Sequence, residues 1–196
     1  PGRWTTLASL PTARQEGAVA ALGGRVVVIG GLGATGEPVS TVEAYDPGAN
    51  RWETRAPLPA PSHHAAAAVV AGRLFVVGGY TGTAVSWIPQ STVYEYDPDR
   101  NSWATRAPLP TPRGALAVAV IGGRVHALGG SGRHVTNAHE VYDVGADRWS
   151  GASPLPSARD HHAAIGFRGR VWVLGGRESG CPAAGSSRRS RWRRRT

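Results

Sequence analysis

The sequence predicts an all-β protein, a β-propeller in which each blade consists of four short antiparallel strands. The main observation is an internal repeat, because Gly pairs, Trp residues and Leu-Pro pairs each recur at spacings of 48, 51 and 46 residues. The four Gly pairs stand at 30–31, 78–79, 129–130 and 175–176. Composition agrees with this, since 27 glycines and 15 prolines among 196 residues favour many turns and short strands over long helices.

The first two strands of each unit are both apolar. The first strand is rich in Ala and Val, and we expect it at 18–22, 65–70, 115–121 and 163–167. After a tight turn, the second strand is a continuous apolar run at 26–29, 74–77 and 171–174. A strand that is apolar on both faces is covered on both faces. We therefore expect each sheet to lie between two neighbouring sheets.

The third and fourth strands are separated by a turn that begins at Asp. The third strand is expected at 41–45, 91–96 and 139–142, and the fourth begins near the repeated Trp. In two units Pro follows the Asp, which presets φ for the turn. The Trp suits a wedge that buries a large aromatic area between blades. We therefore assign the repeated Gly, Tyr and Trp residues to the core rather than to a site.

The order of motifs within the unit resembles a known repeat. It runs Pro-x-x-Arg, an Ala-Val strand, Gly-Arg-Val-x-Val-x-Gly-Gly, Val-Glu-x-Tyr-Asp-Pro, Arg-Trp and Pro-Leu-Pro. This order resembles the Kelch repeat, of bacterial type, and the resemblance covers residues 4–176. It implies a β-propeller, most often of six or seven blades. Such a resemblance is strong evidence for a fold and weak evidence for a function.

The number of units predicts a partial propeller over residues 1–176. Complete blades are expected at 16–58, 63–109 and 114–155, an incomplete blade at 160–176, and a stray outer strand at 1–10. These units amount to about three and a half blades. Because repeats bury the faces of their neighbours, we expect the chain to be a fragment of a longer ring. The alternative is closure of the ring by self-association of two arcs.

Residues 177–196 form an Arg-rich tail that contains 7 of the 22 basic residues. We expect the tail to be disordered or translated out of frame, because codons for Arg-Ser-Arg-Trp at 189–192 can encode the missing third strand in a shifted frame. A genuine tail would instead be a basic arm for nucleic acid or a membrane surface. The other residues include 15 basic and 12 acidic ones, which gives no strong nucleic-acid signal.

The remaining composition limits the function classes. The single cysteine, Cys181, excludes an internal disulfide framework and a Cys-rich zinc site. No apolar run approaches the roughly 20 residues of a membrane helix, so we expect no membrane span. Met is absent, which indicates a missing N-terminal segment, and all basic residues are Arg, which suggests a bacterial genome. Export from a bacterium fits these features, and the localisation stays open.

A site is expected on the face that holds the longest loops. Because antiparallel strands alternate in direction, the connections between strands 2 and 3 share one face with those that lead from strand 4 to the next strand 1. The strand 2–3 connections, at 32–40, 80–90 and 131–138, are long and differ from one another. Variable loops on a rigid scaffold are where binding usually occurs. On these loops we select Trp87, within Trp-Ile-Pro, and the neighbouring Arg133 and His134 as candidates.

The loops that enter each first strand supply further candidates. Arg14, Arg113 and Arg159 recur at one position, where they either bond loop carbonyls or form a ring that binds anions, and we select Arg14 and Arg113 as candidates. The following positions vary between units, which better suits a site, and there we select Glu16, His64, Asp160 and His161. In peptide-binding Kelch domains, some of these positions line the ligand face, so the resemblance supports the same candidates here.

The residues favour binding over catalysis. We expect an interaction module for a protein or carbohydrate ligand, with no catalytic residue and no cofactor assigned. No metal is expected, because adjacent histidines on a strand point to opposite faces and the two His-His pairs lie two blades apart. The alternative is an enzyme similar to the sialic-acid mutarotase type, in which Arg14, Glu16, Arg113 and His161 would supply an Arg clamp and a proton donor. A second alternative is a structural fragment without a complete site.

Overall fold

The computed structural model describes residues 2–83 and 86–178, which form three four-stranded antiparallel sheets and part of a fourth. Blade I consists of β1 (Ala18–Leu22), β2 (Arg25–Ile29), β3 (Val42–Asp46) and β4 (Arg51–Arg55). Blade II consists of β5 (Ala66–Val70), β6 (Arg73–Val77), β9 (Val93–Asp97) and β10 (Ser102–Thr105), with a hairpin of β7 (Tyr80–Thr83) and β8 (Ser86–Pro89) inserted after β6. Blade III consists of β11 (Ala117–Ile121), β12 (Arg124–Leu128), β13 (His139–Asp143) and β14 (Arg148–Gly151).

Blade IV is represented by β16 (Ala163–Phe167) and β17 (Arg170–Leu174), and beside it β15 (Arg159–Asp160) pairs with β18 (Arg177–Glu178). The predicted fold class is confirmed: the protein is all-β, with four-stranded antiparallel sheets that correspond to Kelch blades. The described residues do not close a ring. None of them forms a helix with the length and hydropathy that crossing a bilayer requires. Apart from Arg177 and Glu178, the predicted Arg-rich tail lies outside the described residues.

The segment at 80–90 differs from the sequence prediction of a loop. It forms the β7–β8 hairpin, in which Thr81 pairs with Ile88 and Gly82 pairs with Trp87. Thr, Trp and Ile are residues that favour a pleated, half-buried strand, which accounts for the pairing. The hairpin therefore presents Trp87 and Ile88 on a regular element rather than on an irregular loop.

A repeated polar link connects each of blades I, II and III to the segment that precedes the blade in the chain. Trp103 Nε1 donates to the Ala56 carbonyl at 2.8 Å, and the Ala56 N–H donates to Asn101 Oδ1 at 2.9 Å. The same Asn101 oxygen accepts the hydroxyl of Tyr96 at 2.6 Å. Asn101 has φ of 48°, a left-handed conformation that Asn adopts more readily than most residues. Equivalent links join Trp52, Ala8 and Asn50, and Trp149, Ala107 and Asp147.

The sequence predicts an outer strand at 1–10, and the described part of this segment, residues 2–10, does not form one. Residues 2–10 have no strand conformation, and Trp4 is fully exposed. Ala8 is held by the polar link to blade I, through its hydrogen bonds with Asn50 and Trp52. A strand also requires a ladder of backbone hydrogen bonds, and no strand among the described residues pairs with this segment.

Contacts between neighbouring blades bury the apolar side chains of the second strands. The last residue of this strand is at most 2% exposed in blades I to III, where it is Ile29, Val77 or Leu128. Its equivalent in blade IV, Leu174, is 59% exposed. Because these positions share one place in the repeat, the difference measures how much of the burial comes from the following blade.

We expect Leu128→Ala to lower the free energy of unfolding by about 2–5 kcal/mol, because it removes a buried side chain and leaves a cavity between blades III and IV. The matched control is Leu174→Ala, for which we expect less than about 0.5 kcal/mol. Urea unfolding of both variants measures the two changes. Equal losses would contradict the assignment of inter-blade packing as the source of stability.

Candidate functional site

The long-loop face of the arc is built by contacts between two sets of loops. In each blade, the residue after the Gly pair bonds to the loop that leads into a first strand. Leu32 pairs with Gln15, Tyr80 with His63, Ser131 with Gly114, and Arg177 with Asp160. The two sets of loops therefore lie together, as the alternation of strand direction predicts.

Four equivalent residues form a hydrogen-bonded row along this face, one from each blade. The N–H of His64 donates to the Glu16 carbonyl at 2.8 Å, Ala115 donates to His64 at 2.8 Å, and His161 donates to Ala115 at 2.9 Å. All four have positive φ, between 49° and 56°. Such conformations in non-glycine residues are concentrated at functional or strongly constrained positions.

The side chains of this row line one small pocket of about 150 Å³, together with Gly17, Ala65 and Leu116. His64 Nε2 lies 3.3 Å from Glu16 Oε2, and the rings of His64 and His161 meet edge to face with centroids 5.2 Å apart. We name this cluster of Glu16, His64 and His161 the pocket triad. The two His-His pairs lie two blades apart, yet the rings of His64 and His161 are in contact, because the inner ends of the blades converge.

The pocket triad contacts a second layer of polar side chains. His64 Nδ1 lies 2.6 Å from His63 Nδ1, while His161 Nδ1 lies 3.0 Å from Asp160 Oδ1 and 2.6 Å from Arg177 Nη2. Arg177 Nε also donates to Asp160 Oδ1 at 3.0 Å. Each histidine of the triad therefore has a neighbour that fixes the orientation of its ring.

Burial determines the protonation of these groups. It lowers the pKa of His63 to about 4, with the neighbouring His64 adding to the effect. It also lowers the pKa of His64 to about 4, with His161 and Arg177 as further causes. Burial acts to raise the pKa of Asp160, but hydrogen bonds from His161 and Arg177 outweigh it and hold the pKa below its usual value. At neutral pH His63 and His64 are therefore neutral and Asp160 is ionised.

The β7–β8 hairpin of blade II lies against the pocket triad. The Trp87 ring centroid is 4.8 Å from that of His64, 5.0 Å from His63 and 5.4 Å from Tyr80. Tyr80 is fixed in turn, because its hydroxyl donates to the Ser131 carbonyl at 2.7 Å. Its ring also fills the space where a Cβ on Gly114 would lie. Trp87 is thus supported on one side and remains 43% exposed.

Two predicted site residues, Arg14 and Arg113, are not brought to the pocket. Arg14 Nη1 donates to Glu43 Oε2 at 2.5 Å, and both side chains are almost fully buried. Arg113 is fully buried and donates to the Glu140 carboxylate, to the Gly129 carbonyl at 2.7 Å and to the Thr111 carbonyl at 2.8 Å. Of the two alternatives for these arginines, the structure supports bonds to loop carbonyls within their own blades.

The other predicted residues divide into two groups. Asp160 is buried beside the pocket triad, where it contacts His161 and Arg177. Arg133 and His134 lie exposed on the loop between β12 and β13 of blade III. Trp87 and Asp160 therefore join Glu16, His64 and His161 at one place, whereas Arg133 and His134 belong to a neighbouring part of the same face.

Three residues of the site were not among the sequence candidates. His63 was considered only as part of a pair, Tyr80 was counted with its loop, and Arg177 was assigned to the tail. The repeat could have identified two of them, because Tyr80 and Arg177 each follow a Gly pair directly. Aligning that position would have placed both residues beside the loop that leads into a first strand.

A larger pocket of about 300 Å³ lies elsewhere, between blades I and II. Arg25, Arg55 and Tyr96 are among the residues that line it. Arg25 is already paired with Glu53 at 2.5 Å, and the turn at Gly23 places this pocket on the face with short connections. We therefore interpret it as a crevice between two blades rather than as the functional site.

Comparisons with known proteins agree with this architecture. A family model described as the KLHDC2/KLHL20/DRC7 Kelch-repeats domain matches residues 2–176. Kelch-like protein 35 of Mus musculus is 31% identical over 139 residues, which cover 71% of this chain and 23% of that protein. Kelch-like protein 4 of Homo sapiens is 44% identical over 52 residues, which cover 26% of this chain and 7% of that protein. The chain thus matches less than a quarter of the length of these curated relatives.

Among solved structures, that of YjhT aligns with a TM-score of 0.71 over 91% of this chain and 82% of that chain, at 15% identity. At this identity the likeness shows the fold alone. The family match, in contrast, extends over residues 2–176 and includes every repeat described above. The chain belongs to the Kelch-repeat domain family.

Proposed function

We propose that the long-loop face binds a segment of a partner protein, with the β7–β8 hairpin as the apolar contact and the adjacent pocket as the polar contact. The observation that supports this most strongly is the exposure of two large apolar side chains on one hairpin. Ile88 is 54% exposed and Trp87 is 43% exposed, and the Trp87 ring lies beside His64 of the polar pocket triad. Exposed apolar groups next to polar ones are typical of interaction sites.

The support of Trp87 favours affinity. Its ring already packs on His63, His64 and Tyr80, so little side-chain freedom remains to be lost when a partner covers the exposed face. Aromatic residues held in this way are enriched among the residues that dominate binding energy. Kelch domains generally bind proteins, which agrees with a protein ligand.

Carbohydrate binding is the second candidate, because a half-exposed indole beside a carboxylate and an imidazole also suits a sugar ring. The mutarotase-like version of this candidate loses support, since Arg14 and Arg113, the proposed clamp, are buried in ion pairs within their blades. A carbohydrate ligand would contact Trp87, Glu16 and Arg177 instead. Glycan-array binding by the same protein distinguishes this candidate from a peptide ligand.

We expect Ile88→Glu to weaken binding of peptides selected against the wild-type chain from a random library by about 10- to 100-fold. The reason is that burial of an isoleucine side chain contributes about 1.5–3 kcal/mol to the free energy of binding, and a carboxylate at the same position does not make this contribution. Fluorescence anisotropy of labelled peptides measures the dissociation constants. Leu7→Glu is the matched control, because Leu7 is 53% exposed and lies in the segment beside blade I, away from the hairpin.

The proposal requires that Leu7→Glu bind the selected peptides like the wild type. It also requires that these peptides share an apolar residue. If Ile88→Glu and Leu7→Glu bind equally well, the peptide site lies elsewhere on the domain. If no peptide is selected and glycans bind instead, the carbohydrate candidate replaces the protein ligand.

A further inference from the structure

We propose that the pocket triad is a binding site for a divalent transition metal, with Zn²⁺ as the best-suited ion. One possible ligand atom each from Glu16, His64 and His161 lies within 4.8 Å of the other two. Two imidazole nitrogens and one carboxylate form a common donor set for a zinc ion that retains an open fourth position. This inference goes beyond the proposed function, because it does not depend on which ligand the hairpin binds.

The backbone brings the three side chains together. All three residues occupy the same position of the repeat and share the same left-handed conformation, so each blade directs its side chain toward one pocket. The hydrogen bonds between successive blades fix the spacing of this row. The site thus depends on convergence of the blades and not on a short sequence motif.

The orientation of the imidazoles agrees with metal binding through Nε2. His64 turns Nδ1 toward His63 and Nε2 toward Glu16, at 2.6 and 3.3 Å. His161 turns Nδ1 toward the Asp160 carboxylate at 3.0 Å. A metal-bound histidine usually donates its other N–H to a carboxylate or another acceptor, which fixes the tautomer and the ring. His63 and Asp160 would supply those acceptors.

Binding of the metal requires two changes in the positions of side chains. Ligands of a tetrahedral zinc ion lie roughly 3.4 Å apart, so the atoms of the triad must approach one another. Glu16 is exposed and the side chain of His161 is partly exposed, which leaves both free to shift. Arg177 Nη2 must also move away from the His161 ring, where it lies 2.6 Å from Nδ1 and 3.4 Å from Nε2, while Arg177 Nε retains Asp160. The Arg177 side chain is largely exposed, which leaves it room to move.

The test is metal titration of the tag-free, chelator-treated protein, in a Cys181→Ser background so that the single thiol does not contribute. We expect one Zn²⁺ per chain by competition with a chromophoric chelator, and the strong visible absorption of four-coordinate Co²⁺ when cobalt is used instead. Glu16→Gln and His161→Ala are each expected to weaken binding by more than about 100-fold. Asp160→Asn is expected to weaken it by about 10- to 100-fold, as for other residues that orient a ligand.

Two further variants are expected to strengthen Zn²⁺ binding rather than weaken it. Ala115→His adds a third imidazole, and thus a fourth protein ligand, at the equivalent position of blade III, where the φ of 52° is close to that of the histidines in blades II and IV. We expect tighter Zn²⁺ binding by tenfold or more. Arg177→Gln removes the competing cation and is also expected to tighten binding.

His134→Ala is the matched control, because His134 is an exposed histidine on the same face and outside the triad. It should leave stoichiometry and affinity unchanged. The proposal is overturned if Glu16→Gln and His161→Ala bind Zn²⁺ like the parent protein, or if Co²⁺ gives only the weak spectrum of the hydrated ion. Glu16→Gln remains informative even if His161→Ala fails to fold, since Glu16 is exposed and its replacement is isosteric.

Discussion

Arg113→Met is expected to lower the free energy of unfolding by about 3–5 kcal/mol, because it leaves the buried carboxylate of Glu140 without its counter-charge. The guanidinium also satisfies the carbonyls of Gly129 and Thr111, at 2.7 and 2.8 Å. Loss of a partner to a buried polar group costs more than the net contribution of the bond itself. Urea unfolding monitored by tryptophan fluorescence measures the change.

The matched control is Arg100→Met, which breaks an ion pair at the surface. Arg100 Nε lies 3.7 Å from Asp97 Oδ2, and the Arg100 side chain is 83% exposed. We expect a loss of less than about 1 kcal/mol, since solvent screens such pairs. If Arg113→Met costs no more than Arg100→Met, the buried pair has no special role in stability.

Blade II supplies an internal test of the same pair. At the positions of Arg113 and Glu140, blade II has Ser62 and Tyr94, so both members of the pair are replaced together. We therefore expect the double variant Arg113→Ser, Glu140→Tyr to be more stable than Arg113→Ser alone by more than about 1 kcal/mol. Residues in direct contact show coupling of this size in double-mutant cycles. Additive losses would contradict the pairing.

The strands could be predicted from the sequence because their signals are local. Second strands that are apolar on both faces end within about one residue of the structure, as at Arg73–Val77, and the Tyr-Asp ends of the third strands also agree. Residues 2–10 do not form the strand that the sequence predicts. The repeated Trp marks the position of a unit, but it does not supply the neighbouring strand that pairing requires. The hairpin at 80–90 was missed because its variability suggested a loop.

Contacts between residues that are distant in the sequence were harder to predict. Arg113 and Glu140 are 27 residues apart, and the recurrence of Arg alone fitted both a structural and an anion-binding role. Glu16, His64 and His161 were each selected, but their convergence depends on how the blades pack around an axis. No spacing in one unit encodes that packing. Arg177 was not recognised as a site residue, because it is the first arginine of the Arg-rich segment at 177–196 and was assigned to that segment.

Gly78→Ala is expected to destabilise the protein by more than about 4 kcal/mol, a loss confined to a few mechanisms such as backbone strain and steric overlap. Gly78 has φ of 63°, and a Cβ there would lie 2.4 Å from the Arg113 carbonyl oxygen of the next blade. That carbonyl accepts the N–H of Gly79 at 2.9 Å, so blade III could retreat only by breaking a bond between blades. Urea unfolding measures the loss.

Gly175→Ala separates the steric cost from the conformational cost. Gly175 occupies the same position of the repeat with φ of 69°, but no atom of the described residues lies within 4 Å of a Cβ built there. Only the left-handed conformation opposes the substitution, which costs roughly 1–2 kcal/mol for an L-residue. The difference between the two variants therefore isolates the close approach of neighbouring blades. Equal losses would show that φ, and not the approach of the blades, determines the need for glycine in the pair.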